Sequence, residues 1–145
     1  MPKDGTVSSP AFHLAFPVAD LDEAKSFFVG VLGCSTGRES SRWVDFNFFG
    51  HQLSAHLRPE SCGLEGTNGV DGDRVPVRHF GVILEWHHWE ELRDRLKQSG
   101  ADFIIEPRIR FKGKVGEQGT MFVRGPSNNT LEFKTFRDMG MVFES

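Results

Sequence analysis

Tyrosine is absent from this sequence, and only two cysteines, Cys34 and Cys62, occur in its 145 residues. The two lack CxxC or any paired zinc-like spacing, which argues against a thiolate metal site. Two unpaired thiols in a reducing compartment are expected instead. No apolar run approaches the ~20 residues that a membrane-spanning helix needs. The opening "MPKDGTVSSP" lacks the apolar core of a secretory leader, so a cytoplasmic protein without membrane partners is expected. Basic charge is not in excess: the formal net charge is −3, which argues against a nucleic-acid binder. There is no HExxH. The tract "EWHHWEE" (85–91) places His87 and His88 at a solvated helix start rather than at the spacing of a helical zinc site.

What the chain does contain is bulky core material and an internal repeat. Fourteen phenylalanines and three tryptophans, with 38% hydrophobic residues, are enough for one compact domain or two tightly joined halves. "FHLAFPVADLDEAKSFFVGVLG" (12–33) and "HFGVILEWHHWEELRDRLKQSG" (79–100) share one plan: a short apolar run with a histidine at its start, a helical pattern, and a final glycine. His13 and His79 align, 66 positions apart. Asp20 is placed as an N-cap with Glu23 as its capping-box partner. Leu21, Ala24, Phe27, Phe28, Val31 and Leu32 then form a helical stripe. "WVDFNFFGHQLSAHL" (43–57) and "GTMFVRGPSNNTLEF" (119–133) each read as two strands about a glycine turn, with room for one more strand near 34–41 and 102–111.

The expected fold is therefore α+β: two tandem β-α-β-β-β modules forming a concave, mostly antiparallel sheet with helices outside. The expected bounds are 11–58 for the first module and 77–137 for the second. A glycine-rich connector (59–76) and a C-terminal tail (138–145) complete the chain. The tail carries Met139, Met141, Val142 and Phe143, which suit a subunit boundary.

Strand alternation assigns faces. Phe12, Leu14, Phe16 and Val18 share one side of the first strand, and His13, Ala15 and Pro17 the other. The large apolar set packs under the helix, and the histidine lies among small neighbours, as does His79 beside Gly81. His51 and His56 are separated by an odd number of residues and point to opposite faces. His51 goes with Leu53, Ala55 and Leu57 and reads as structural. Counted from the turn glycines, His56 falls level with Glu132 on the last strand of each module. His13, His56, His79 and Glu132 are thus expected to converge in one cleft. Three imidazoles and a carboxylate suit Fe(II), Zn, Mn, Ni or Co, and two histidines with one carboxylate form the non-haem Fe(II) pattern.

The stretches "HLAFPVADLDEAKSFFVGVLG", "HFGVIL" and "RGPSNNTLEF" resemble the vicinal oxygen chelate superfamily, which includes glyoxalase I, extradiol ring-cleaving dioxygenases, and bleomycin- and fosfomycin-resistance proteins. The resemblance covers residues 11–137. It implies that His13, His79 and Glu132 hold a divalent metal, with His56 at the fourth position, where the family has glutamate or glutamine. "FGHQLSAHL", "VPVRHFGVIL" and "RFKGKVGEQGTMF" look like a branch described as extradiol-type dioxygenases. That points to an Fe(II)-dependent dioxygenase acting on a small chelating substrate such as a catechol, in a homodimer. His56 and Glu132 would be the acid/base groups. A glyoxalase-type lyase or isomerase using Zn, Ni or Co is the alternative, and a non-catalytic drug- or metabolite-binding protein is the third reading. The family turn "DPxGN" is here "GPSNN", with Asn128 and Asn129 able to take left-handed conformations.

"RIRFKGK" (108–114) alternates basic residues with apolar ones. Arg110 and Lys112 on that edge, with Glu117 and Gln118 in the following glycine-hinged loop, are candidate substrate contacts.

Overall fold

The computed structural model describes residues 9–63, 67–70 and 73–144. The first module runs β1 (His13–Val18), α1 (Leu21–Lys25), β2 (Ser35–Glu39), β3 (Trp43–Phe48) and β4 (His51–Leu57). Between the modules lie β5 (Thr67–Val70) and β6 (Asp73–Pro76). The second module runs β7 (Phe80–Leu84), α2 (Trp86–Gln98), β8 (Asp102–Arg110), β9 (Gln118–Arg124) and β10 (Thr130–Phe136). The β-α-β-β-β plan is present twice.

Local chemistry accounts for the elements. The Asp20 carboxylate accepts the Glu23 backbone N–H at 3.0 Å, capping α1 as its sequence demands. α1 continues through Ser26–Val31 as a wider π-type turn, in which Leu32 N–H reaches the Phe27 carbonyl at 2.9 Å. Ala24, Phe28 and Leu32 are buried on its inner side. Gly33 and Gly100, in left-handed conformations (φ 81° and 74°), end the two helical segments. In the "GPSNN" turn the left-handed residues are Ser127 and Asn128 (φ 59° and 65°), whereas Asn129 is extended (φ −77°, ψ 125°). Asn129 uses its side chain instead, donating to the Pro17 carbonyl at 2.9 Å and tying the second module to the first.

Each module forms its own four-stranded sheet, in the order β1-β4-β3-β2 and β7-β10-β9-β8. The outer pairs β1–β4 and β7–β10 are parallel and the rest antiparallel. One core joins both modules: Phe16, Phe28, Phe46 and Phe48 from the first, and Trp89, Leu92, Leu96, Met121 and Phe133 from the second. Burying each such side chain contributes roughly 1.5–3 kcal/mol. The Trp89 indole N–H is satisfied by the Phe133 carbonyl at 2.9 Å. The ring of Phe48, on the third strand of its sheet, lies 6.2 Å from that of Phe133, on the second strand of the other. Sheets joined edge to edge would hold these rings several strand spacings of about 4.8 Å apart. The sheets therefore meet through their helix-side faces, and their other faces open outward.

The glycine-rich connector is more ordered than its composition implies. β5 and β6 pair antiparallel, and Val75 is buried (1% exposed) against Ile105 and Phe122 on the outward face of the second sheet. The tail makes a short turn at Met139–Met141, capped by Asp138, and leaves Phe143 exposed. No helix among the described residues is long and apolar enough to cross a membrane.

Candidate metal centre

Two of the four candidate ligands come together. His79 precedes β7, and Glu132 sits on β10 opposite Gly81. His79 Nε2 lies 3.5 Å from Glu132 Oε1, and the two side chains are 27% and 18% exposed. His79 Nδ1 is 2.9 Å from the Pro76 carbonyl. A carbonyl can only accept, so Nδ1 carries the proton and, in the neutral ring, the Nε2 lone pair faces the carboxylate. Two acceptors facing each other at this distance are reconciled either by a proton on Nε2 or by a cation between them. Donor atoms on a shared transition-metal ion with bonds of about 2.0–2.2 Å sit about 3.0–3.4 Å apart, so the pair fits one. The other carboxylate oxygen, Oε2, accepts from Thr120 Oγ1 at 2.7 Å. The ring of Phe122 packs edge-on against His79, centroids 5.0 Å apart. Metal-ligating histidines commonly donate their second nitrogen to a carbonyl, and ligating carboxylates are commonly hydrogen-bonded, so the pair is compatible with holding a metal.

The other two candidates lie elsewhere. Among the described residues, the one trio of His, Cys, Asp or Glu donor atoms within 4.8 Å of one another is Glu85, His87 and His88. All three are exposed at the N-terminus of α2, whose positive end disfavours a cation, so this tract remains a helix start. His13 is exposed on the outward face of the first sheet.

The expected equivalence of His56 with Glu132 does not hold. Parallel pairing puts Ala15 opposite Ser54 and Gly81 opposite Glu132. Ala15 and Gly81 each lie two residues after their histidine, so the counterpart of Glu132 is Ser54. The counterpart of His56, opposite Pro17, is Lys134, opposite Ile83. Counting from the turn glycines misaligned the strands because β4 begins directly after Gly50, whereas Pro126–Asn129 intervene between Gly125 and β10. His56 instead lines a shallow cleft with Trp43, Arg42 and Arg58.

The four candidate substrate residues also separate. Arg110 pairs with Gln118 at the end of the outward face. Gln118 is four residues from Phe122, the partner of Glu132, which is about 13 Å along the strand. The Arg110 guanidinium lies over the ring of Phe111, 4.9 Å from its centroid. Lys112 is exposed in the turn between β8 and β9. Glu117 does not face the metal pair: its carboxylate reaches Arg137 at 3.6 Å, and Arg137 covers the Trp86 ring at 3.6 Å.

A cleft of about 410 Å³ opens at His79 along the seam between the modules. β1 residues Ala15 and Pro17 line one side, Cys62 and Asn128 another, and Thr130 the base. Thr130 is 1% exposed, and its hydroxyl has no hydrogen-bond partner. Thr120 and Thr130, the polar neighbours of the pair, were not singled out from the sequence. Their alternation with Phe122 and Glu132 along facing strands was the available signal.

The description "Glyoxalase/Bleomycin resistance protein/Dioxygenase superfamily" matches residues 11–133. No curated protein matches the chain. Among solved structures, a glyoxalase/bleomycin resistance protein/dioxygenase from Alicyclobacillus acidocaldarius is 37% identical, covering 92% of this chain and 96% of that one, with a TM-score of 0.75. The fosfomycin resistance protein FosX from Listeria monocytogenes is 16% identical over 89% of this chain and 94% of that one, with a TM-score of 0.67. A lactoylglutathione lyase from Agrobacterium tumefaciens is 16% identical over 93% and 99%, with a TM-score of 0.62. The last two share the fold. With a repeated β-α-β-β-β plan and a family match across most of its length, the chain belongs to the glyoxalase/bleomycin resistance/dioxygenase superfamily.

Proposed function

We propose that this chain is a metal-dependent dioxygenase, with Fe(II) as its metal and a small substrate bearing adjacent oxygen donors, such as a catechol. The observation that carries the reading is the His79–Glu132 pair, two acceptors 3.5 Å apart with their orientation set by Pro76 and Thr120. His13 is the third donor. The His79–Glu132 pair lies on the outward face of the second sheet and His13 on that of the first, so a second copy of the chain supplies His13 and the working unit is a homodimer. The two unpaired cysteines suit a reducing cytoplasm.

When bound, the metal supplies Lewis acidity and a template for substrate and dioxygen. A two-histidine, one-carboxylate set leaves the remaining octahedral positions open, which favours a dioxygenase over a lyase or isomerase with four fixed ligands. This chain's own residues do the rest. Thr120 holds Glu132, and Pro76 fixes the tautomer of His79. The seam cleft admits the substrate beside His79.

The test is to purify the protein without added metal, identify its metal by elemental analysis, and follow oxygen uptake with a panel of catechols. Iron with uptake is expected. Zinc or nickel without uptake would redirect the function to a glyoxalase-type lyase or isomerase. Failure to bind any divalent metal on titration would overturn the site and favour a non-catalytic binding protein.

A further inference from the structure

We propose that Asp45, and not His56, is the reacting group of the first module: the carboxylate that takes a proton from a hydroxyl of the substrate. The proposal rests on the metal-site reading above and on the homodimer that completes it.

The internal symmetry locates the residue. Ser54, the counterpart of Glu132, pairs across β3–β4 with Asp45, just as Glu132 pairs across β9–β10 with Phe122. Asp45 is therefore the counterpart of Phe122, the residue whose ring packs on His79. The equivalent place in the first module belongs to the neighbourhood of His13. There the chain puts a carboxylate on the outward face instead of a ring.

That carboxylate is held. Oδ1 accepts from Ser54 Oγ at 2.5 Å, and Ser54 is buried (6% exposed). Oδ2 accepts from Gln52 Nε2 at 3.4 Å, a much weaker contact. Neutral donors orient a carboxylate without cancelling its charge. It is also uncovered. On β2 the facing residue is Gly37, where an added Cβ would meet only Asp45 itself, its Cβ at 3.5 Å and its backbone oxygen at 3.8 Å. A cleft of about 300 Å³ opens over Asp45, walled by Ala11, Gly37 and Gly50. The titratable and charged groups facing it are Arg38 from β2, Asp45 from β3 and His51 from β4. The Nδ1 of His51 is taken by the Phe12 N–H at 2.9 Å, and the Arg38 guanidinium lies over Trp43, 5.8 Å from its centroid. A fixed, uncancelled acceptor with open space above it meets the geometric requirement of a general base.

The step balances simply. A substrate O–H bond breaks, its electron pair stays on the substrate oxygen, and the proton adds to the loosely held Oδ2. A neutral carboxylic acid results, which returns its proton to water.

The test uses the full-length protein loaded with Co(II), with 4-nitrocatechol as the probe, since its visible band reports deprotonation on binding. Cobalt uptake is measured first, on the wild type and on Asp45→Asn, His56→Ala and His79→Ala. Uptake by the wild type and by Asp45→Asn, with loss in His79→Ala, is expected. Uptake by none, or equal uptake by all, would show that the metal-site reading has failed, separately from the role of Asp45. The rate at which the band appears on rapid mixing is then measured. Asp45→Asn is expected to slow it at least tenfold, while His56→Ala matches the wild type. An unchanged rate in Asp45→Asn, or a slowed one in His56→Ala, would overturn the proposal. If Asp45→Asn fails to fold by circular dichroism, Ser54→Ala keeps the carboxylate but removes its brace. An unchanged rate there would equally overturn it.

Discussion

The backbone carbonyl oxygen of Glu132 occupies the place where a side chain on Gly81 would begin: an added Cβ would lie 1.5 Å from it. The missing side chain leaves room for β10 itself. β7 approaches β10 this closely beside His79, so the same contact that excludes a side chain also presents the imidazole to the carboxylate. Gly81→Ala is therefore expected to separate the strands and to destabilise the fold by about 3 kcal/mol, at the upper end of overpacking costs. Chemical denaturation measures the loss, and metal titration should show affinity falling with it.

Thr120 would act on the metal only through Glu132, whose carboxylate it holds. Thr120→Val keeps the shape and removes the donor. Metal affinity is expected to fall about 10- to 100-fold, as for other residues that orient a ligand, with little change in melting temperature. Competition against a chelator of known affinity measures it. Unchanged affinity would mean that the Glu132 carboxylate needs no bracing.

Subunit complementation checks whether the centre is shared between copies. His13→Ala and His79→Ala should each bind metal poorly. A mixed dimer refolded from both carries one centre with all its ligands, because one copy supplies His79 and the other His13. Metal uptake should recover toward one ion per mixed dimer. No recovery in a verified mixed dimer would place His13 outside the shared centre.

The thiols should differ in reactivity. Burial pushes the Cys34 thiol from its ordinary 9.0 up to about 11, partly opposed by the Arg95 charge, and burial also raises Cys62. At pH 8 Cys34 should resist an aromatic disulfide reagent in the folded protein and react on unfolding, with Cys62 the faster of the two. The sign for stability follows from a folded value above the unfolded one. The contribution of the neutral thiol is fully present below pH 9 and is lost as pH rises toward 11.

Much of the fold was legible because it depends on local periodicity. Alternation separated Phe16 and Val18 from His13 and Ala15, and the burial of these strands follows that division. Asp20 and Gly33 bounded the first helical segment as their chemistry requires. The connector was harder to read. Its glycines hide the pairing of β5 with β6, and Val75 is a single apolar residue whose burial depends on Ile105 and Phe122 far along the chain.

The sequence by itself determined the repeat, the family and the two faces of the first strand of the first module, because period and spacing are properties of neighbours along the chain. It also named His79 and Glu132 individually. Which residues stand opposite one another was decided only by tertiary structure. Register depends on hydrogen bonds between strands, and two turns of unequal length break any count made along the chain. That is why Ser54 rather than His56 answers Glu132, and why Asp45 emerges beside it. Packing also decided that the helix-side faces of the two sheets share one core, which leaves His13 and the His79–Glu132 pair on separate outward faces of one chain.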